Sequence, residues 1–448
     1  MKMFSPRSQG RPVPESDPAR GTPALLPPRP PGKGLLRAFT SLRQRNFRLF
    51  WFGQMISLIG SWMQSIGQTW LVLELTHSAW QLGLVGALQF LPVLLFSIFG
   101  GVFADRWPKR RVLLVTQSAA MIQALLLWAL IATGTVQLWH LYILAMLLGL
   151  TRSLDTPTRQ AFVVEMVGRE DLSNAVALNF LLLNLARIVG PGLGGIIIAA
   201  SGVTMLFLLN ALSFLAVIMG LALIHSPELH AQALQHTNAL ARQTTWQSLR
   251  EGVNYVWKTP AVVLVILVVG LVLLFGSNFN VVLPLFATDV LHVGARGFGF
   301  LSAALGVGSL LSGLWLAWGN QGPTIRRVLI GTLVFGVLEA VFAVSHIYLL
   351  SLALIASVGF AETAFAQLAI TTLQTVAPDH LRGRVMSVYV LFFDGSVPLG
   401  YLLTGWLAGR YGVSIAMLIC ALLSLLVAGA GWMWRKPAER DLAESTRL

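Results

Sequence analysis

Residues 225–258 read HSPELHAQALQHTNALARQTTWQSLREGVNYVWK, a polar stretch set between long apolar runs. On its N-terminal side lie runs at about 203–224, 172–199, 139–163, 111–133, 80–104 and 47–75. On its C-terminal side lie runs at about 261–290, 297–319, 324–344, 348–374, 384–408 and 412–434. Each is long enough to cross a hydrocarbon core as one helix, which takes about 20 apolar residues. The order six, linker, six predicts an all-α integral membrane protein, with twelve transmembrane helices in two six-helix bundles. Inside the linker, Trp246, Leu249, Val253 and Val256 recur at helical spacing, which predicts a short interfacial helix lying on the membrane surface.

Composition agrees with that reading. Of 448 residues, 56% are hydrophobic and only 11% are charged. So few charges cannot cover the surface of a soluble protein of this size, which excludes soluble enzymes and nucleic-acid-binding domains. The net charge of +13 follows topology instead: 27 of the 31 Lys and Arg fall in the tails and the loops on one side, Arg152 and Arg187 lie inside spans, and Arg296 and Arg410 lie opposite. Under the positive-inside rule both termini are cytoplasmic, and the basic residues meet anionic lipid rather than nucleic acid. The expected parts are a disordered basic, Pro-rich tail at 1–46, an N-terminal bundle at 47–224, the linker at 225–258, a C-terminal bundle at 259–435, and a tail at 436–448. Cys420 is the only cysteine, so no disulfide framework, metal site or cofactor is expected.

The bundles repeat each other. A shift of 216 superposes Leu75 on Leu291, Gly83 on Gly299, Ala87 on Ala303 and Leu94-Leu95 on Leu310-Leu311. The tetrapeptide RRVL at 110–113 recurs at 326–329, and a shift of 209 aligns Val167 and Leu172 with Val376 and Leu381. Parallel halves of this kind place a shared cavity at mid-membrane and permit rocking between two openings, a carrier design.

The loop after the second span reads Gly101-Val-Phe-Ala-Asp105-Arg106-Trp-Pro-Lys109-Arg110-Arg111. It resembles the signature of the major facilitator superfamily at that location. Asp155, Pro157, Arg159 through Phe162, Glu165, Leu172, Asn174-Ala175 and Gly190-Pro191 resemble the bacterial drug and siderophore exporter branch, the macrolide and enterobactin efflux proteins. So do Leu283-Pro284-Leu285-Phe286, Asp289-Val290-Leu291 and Leu381 through Met386. The resemblance implies a cytoplasmic gate held by Gly101, Asp105, Arg106, Arg110, Arg111 and Arg384; the bare alternative is that the arginines only fix topology. Pro108 stands where the superfamily usually has Gly, and Gln321 replaces the acidic residue of the second-half copy, so the two gates are expected to be held unequally.

A charge near mid-bilayer costs at least about 2.5–3.5 kcal/mol on insertion scales, so each needs a partner or a wet cavity. Arg152, Asp155 and Arg159 share one helical face, and Asp155 can pair with either arginine, as a proton-loading switch or as a permanent ion pair. Glu362 and Asp394 lack a basic neighbour on their own spans, and Arg187 is open to pairing with Asp394 or Asp155. These six residues are the candidates for proton coupling. Gln54, Ser57, Ser61, Gln64 and Gln68 form a polar stripe that lipid cannot face, so it either packs against another helix or lines the cavity. With Asn278, Asn280, Thr363 and Gln367 they are the candidate substrate contacts, and Trp62, Met63, Phe279 and Phe365 are weaker ones. Gly190, Pro191 and Gly194 serve helix packing.

Together these features predict a secondary active transporter, not an enzyme: proton-coupled export of a hydrophobic or amphipathic small molecule, drug-like or siderophore-like, by alternating access. The alternatives are an uptake symporter, a lysolipid carrier of the same fold and, from another class, a non-transporting membrane sensor. A GxxxxGK[ST] phosphate loop is missing, which disfavours a primary pump. The expected partners are a small-molecule substrate, protons and membrane lipid, and the expected state is a monomer in the cell membrane, the inner one where there are two.

Overall fold

A computed structural model describes residues 40–168, 171–225, 245–319 and 324–445, with only the backbone of 97–106, 245–249 and 440–445. Its described elements are helices: α1 (Arg45–Thr76), α2 (Ala79–Arg106), α3 (Lys109–Ala132), α4 (Leu138–Val167), α5 (Leu172–Ala222), α6 (Thr245–Lys258), α7 (Pro260–Gly276), α8 (Phe279–Leu285), α9 (Gly294–Trp318), α10 (Ile325–Ala343), α11 (Tyr348–Val376), α12 (Arg382–Tyr411) and α13 (Val413–Ser445). In a bilayer only internally bonded backbone is affordable, so apolar runs of this length become helices.

Two spans are joined and one is divided. The fifth and sixth runs form α5 without a loop, broken at Gly202, whose φ of 78° and ψ of 175° reverse the chain where a Cβ would be strained. The seventh run is split at Ser277-Asn278 into α7 and α8, then tightens into a π-helical turn at Phe286–Val290. Eight segments are long and apolar enough to cross a membrane on length and composition, and α5 crosses twice. The three long helices outside that set complete the twelve. They are α1 with its polar stripe, α4 with Arg152, Asp155 and Arg159, and α10 with Arg326, Arg327 and Glu339. The helices that look least like spans are those that carry the polar groups. At the far end α13 continues to Ser445, past the expected end of the twelfth run near 434.

The repeat is visible in the backbone. Arg110 and Arg326 open α3 and α10 at matching points, and the fourth residues of the two RRVL copies, Leu113 and Leu329, are both buried. The first and seventh spans both run into a left-handed histidine, His77 at φ 48° and His292 at φ 51°. Contacts between the halves run through α2 against α12 and α5 against α9. At the first crossing a Cβ on Gly83 would stand 3.3 Å from Gly405 Cα; at the second, one on Gly299 would stand 2.7 Å from Gly195 Cα. Gly83 and Gly299 are the pair that the 216-residue shift superposes. Close backbone approach replaces the hydrophobic effect as the source of helix association in lipid, and small residues permit it.

The end of the linker forms the helix α6, Thr245–Lys258. Val256 is buried, Tyr255 Oη donates to the Val376 carbonyl across 3.4 Å, and Gly252 rests on Arg384. It therefore covers the ends of α11 and α12. Trp246 and Leu249 lie outside the described side chains.

Candidate functional site

The site begins with α1. Its stripe keeps to one face because intervals of three and four follow the helical turn. Gln54, Ser57, Ser61, Gln64 and Gln68 all line a cavity of about 390 Å³, within the ~300–1,000 Å³ range of small-molecule sites. The stripe both packs and lines. Ser57 Oγ donates to Gln117 Oε1 across 3.4 Å, Gln64 Nε2 donates to Gln123 Oε1 across 2.8 Å, and Asn210 Nδ2 donates to Gln64 Oε1. The same stripe ties α1 to α3 and α5 and lines the cavity. The second half closes one side with Asn280, Val281 and Tyr401, where Asn280 Nδ2 donates to Tyr401 Oη at 2.8 Å. Trp62, Phe90 and Phe214 add aromatic wall.

Asp155 is the charged centre of the network and is 5% exposed. Its Oδ1 accepts from Thr116 Oγ1 at 2.8 Å and from Gln117 Nε2 at 2.7 Å, while Oδ2 pairs with Arg159 at 2.8 Å. Of the two pairings open in the sequence, the structure takes Arg159. Arg152 makes no hydrogen bond or ion pair among the described residues; it stands at the cavity wall, which Arg159, Asp155 and Tyr401 also line. That wall therefore carries one cation more than it carries anions.

The other intramembrane charges lie apart. Arg187 pairs with neither Asp155 nor Asp394; its Cζ lies 6.0 Å from the Trp62 ring centroid, over the aromatic face. Asp394 is half-buried, without an ion pair among the described residues. Glu362 accepts a hydrogen bond from Ser277 Oγ at the break in the seventh span. Asn278 is buried at the same break and does not line the cavity, and Thr363 and Gln367 do not reach it either, Gln367 being exposed. Met63, Phe279 and Phe365 are packed core rather than wall. Gly190 and Gly194 press α5 onto α1, where their Cβ atoms would meet Trp62 Cβ at 2.5 Å and Met63 Cα at 3.4 Å, and the Pro191 carbonyl lies against Gly299.

At the expected gate, the side chains of Asp105 and Arg106, like Gly101, fall in the stretch described only by its backbone, and Gln321 lies outside the described residues. The neighbouring basic residues hold helix ends. Arg110 Nε and Nη2 donate to the carbonyls of Leu221 and Ala222, each at 2.7 Å, which satisfies the C-terminus of α5. Lys109 pairs with Glu165 at 2.6 Å, Arg384 pairs with Glu251 of α6, and Arg111 is exposed.

Sequence reasoning passed over several members of this site. Thr116, Gln117 and Gln123 lie on one face of α3, and Asn210 on α5 completes their network. Their signal is the same as that of the α1 stripe, amides at helical spacing in an apolar run, but with only two or three members. Glu339 was also missed: an acid at the fifteenth position of the nineteen-residue α10, 2% exposed.

The family model described as transmembrane secretion effector matches residues 36–447. Among curated relatives, the staphyloferrin A transporter of Staphylococcus aureus is 24% identical over 411 residues, 89% of this chain and 98% of the relative. The multidrug efflux pump Tap of Mycolicibacterium fortuitum is 28% identical over 414 residues, 90% of this chain and 99% of the relative. Among solved structures, the nucleoside transporter NupG superposes with a TM-score of 0.68 at 14% identity, covering 89% of this chain and 99% of that one, a likeness of fold. A match over nearly the whole chain, on a twelve-span bundle around a central cavity, makes this protein a member of the transmembrane secretion effector family of major facilitator transporters, a membrane carrier and not an enzyme.

Proposed function

We propose that this carrier exports a hydrophobic or amphipathic small molecule from the cytoplasm in exchange for inward-moving protons, by alternating access. The observation that carries the reading is the cavity itself. It joins amide and aromatic wall to an ion pair, Asp155–Arg159, whose carboxylate can be unloaded from its arginine and loaded with a proton. The unpaired Arg152 at the same wall favours an amphipathic substrate with a negative group. Arg187, Glu362 and Asp394 complete the charged set of the proposal. The names of the relatives, an efflux pump and a siderophore transporter, support export of molecules of this kind.

The proposed frame is two bundles, 47–224 and 259–435, joined by 225–258, with tails at 1–46 and 436–448 in the cytoplasm, working as a monomer in lipid. The glycine crossings at Gly83 and Gly299 support a pseudo-symmetric pair of halves. Asp105 with Arg106, Arg110, Arg111 and Arg384 is the proposed cytoplasmic latch. It would be released in Asp105→Asn, which is expected to insert and fold normally while transporting more slowly.

Transport into proteoliposomes under imposed pH and voltage gradients, against a panel of drugs, siderophores and lysolipids, tests the reading. Movement of substrate opposite to the proton gradient supports it. Accumulation along with the proton gradient makes the protein a symporter, and no movement of any compound makes it a sensor.

A further inference from the structure

The break in the seventh span gathers a second set of polar atoms, away from the cavity wall. Gly276 ends α7 against Glu339 of α10, where a Cβ would stand 2.8 Å from Glu339 Oε2. The next residue, Ser277, donates its Oγ hydrogen to Glu362 Oε1 on α11. Asn278 then spends its amide hydrogens on the carbonyls of Leu274 and Phe275, at 2.8 and 2.9 Å. Two consecutive residues therefore bring the two acids to one joint, Gly276 lying against the Glu339 carboxyl and Ser277 bonding the Glu362 carboxyl. The titratable groups that act electrostatically on the pair are Cys420 on α13, towards Glu339, and Tyr401 on α12, towards Glu362. None of these is basic, and neither Glu339 nor Glu362 has an ion pair among the described residues.

What this arrangement lacks is donors. Glu339 Oε2, Glu362 Oε2 and Asn278 Oδ1 are all buried without a hydrogen-bond partner, and all three are acceptors. Glu339 and Asn278 are each 2% exposed, so bulk water does not serve them. Two neighbouring carboxylates in apolar surroundings cannot both stay ionised, and a buried acceptor without a donor is costly. A cluster with surplus acceptors and no cation paired to it among the described residues calls for a bound positive charge. Three oxygens fall short of the six or more that a dehydrated divalent ion requires, whereas a proton needs one.

We propose that Glu339 and Glu362 share a single proton at the break in the seventh span, a proton site in the second half of the chain distinct from Asp155. The proposal rests on the proton-coupled reading for its role in transport, but not for its existence. The carboxyl that carries the proton becomes the donor that the cluster lacks, and the Ser277 hydroxyl serves Glu362. Because Ser277 and Asn278 are the non-helical joint between α7 and α8, movement at that joint changes the surroundings of both acids. This gives the second half a means of sensing which way the carrier faces.

The test is a proton count on the purified full chain. After a pH jump, proton uptake is read with an indicator dye, and the protonated-carboxyl band is followed by infrared spectroscopy. Glu339→Gln is expected to lose one proton of uptake and that band, with an unchanged elution profile. The double variant Glu339→Gln, Glu362→Gln is expected to lose the same single proton, since the pair shares it. Unchanged uptake in both variants, or loss of two protons in the double variant, overturns the proposal. So does displacement of the proton by sodium at constant ionic strength. If the wild-type carrier ignores a pH gradient in proteoliposomes while the count still falls by one, the coupled-export reading fails and the site stands.

Discussion

Asp155 and Glu339 are both acids inside the bundle, and their surroundings are opposite. Asp155 has two neutral donors and an arginine on its two oxygens, whereas Glu339 Oε2 has neither a donor nor a cation among the described residues. In the first half donors and a cation already stand around the carboxylate; in the second the carboxylate is left to find its positive charge elsewhere. Burial alone therefore does not say what an intramembrane acid does. The balance of donors and acceptors around it decides whether its charge is answered within the fold or from outside.

The largest expected effect breaks the comparison if it goes the wrong way. Asp155→Asn leaves Arg159 without its partner in a buried setting, and removing one member of such a pair costs about 3–5 kcal/mol. Glu339→Gln removes a buried acid and leaves no cation behind, so its stability should change by less than about 1 kcal/mol, below the cost of an unpaired polar group. Thermal unfolding in one detergent compares the two directly, and equal losses would abolish the distinction. Replacing Asp155 and Arg159 together should recover much of the first loss.

A smaller change sharpens the same contrast. Gln117 donates to Asp155 and accepts from Ser57, so it couples the α1 stripe to the charge. Gln117→Leu keeps the volume and removes both bonds, one of them to an ionised acceptor, which is worth about 1.5–3 kcal/mol. The loss is expected to fall sharply in an Asp155→Asn background, because the charged acceptor is already gone. A double-mutant cycle without coupling would place Gln117 outside the network.

Most of the architecture was legible because membrane physics leaves few choices: apolar length, the linker at 225–258 and the repeat at Gly83 and Gly299 dictate twelve helices in two halves. The site was less legible. The α1 stripe announced itself through five polar residues at helical spacing, but whether such a stripe packs or lines depends on neighbours that sequence spacing does not specify. The choice of Arg159 over Arg152 was equally hidden, since both lie within reach of Asp155 on one face. Glu339 went unread because its partners come from α7 and α11, and none of them is near it in the chain.

The smallest expected effect is the most specific to the second half. Ser277 is the donor that the structure gives to Glu362, from one helix to another, and interhelical hydrogen bonds in membranes average about 0.6 kcal/mol and reach about 1.7. Ser277→Ala therefore lowers stability only slightly. Its dependence on pH carries the information. A hydroxyl donor stabilises the ionised carboxylate more than the neutral acid, so the loss should be largest at alkaline pH, where the shared proton has left. As the pH falls and the pair takes up its proton, the cluster regains a donor of its own and the loss should shrink. Stability curves of wild type and Ser277→Ala should accordingly converge in acid and separate in base. Parallel curves across the whole range would mean that Glu362 does not change its charge there, and the contrast with Asp155 would lose its second member.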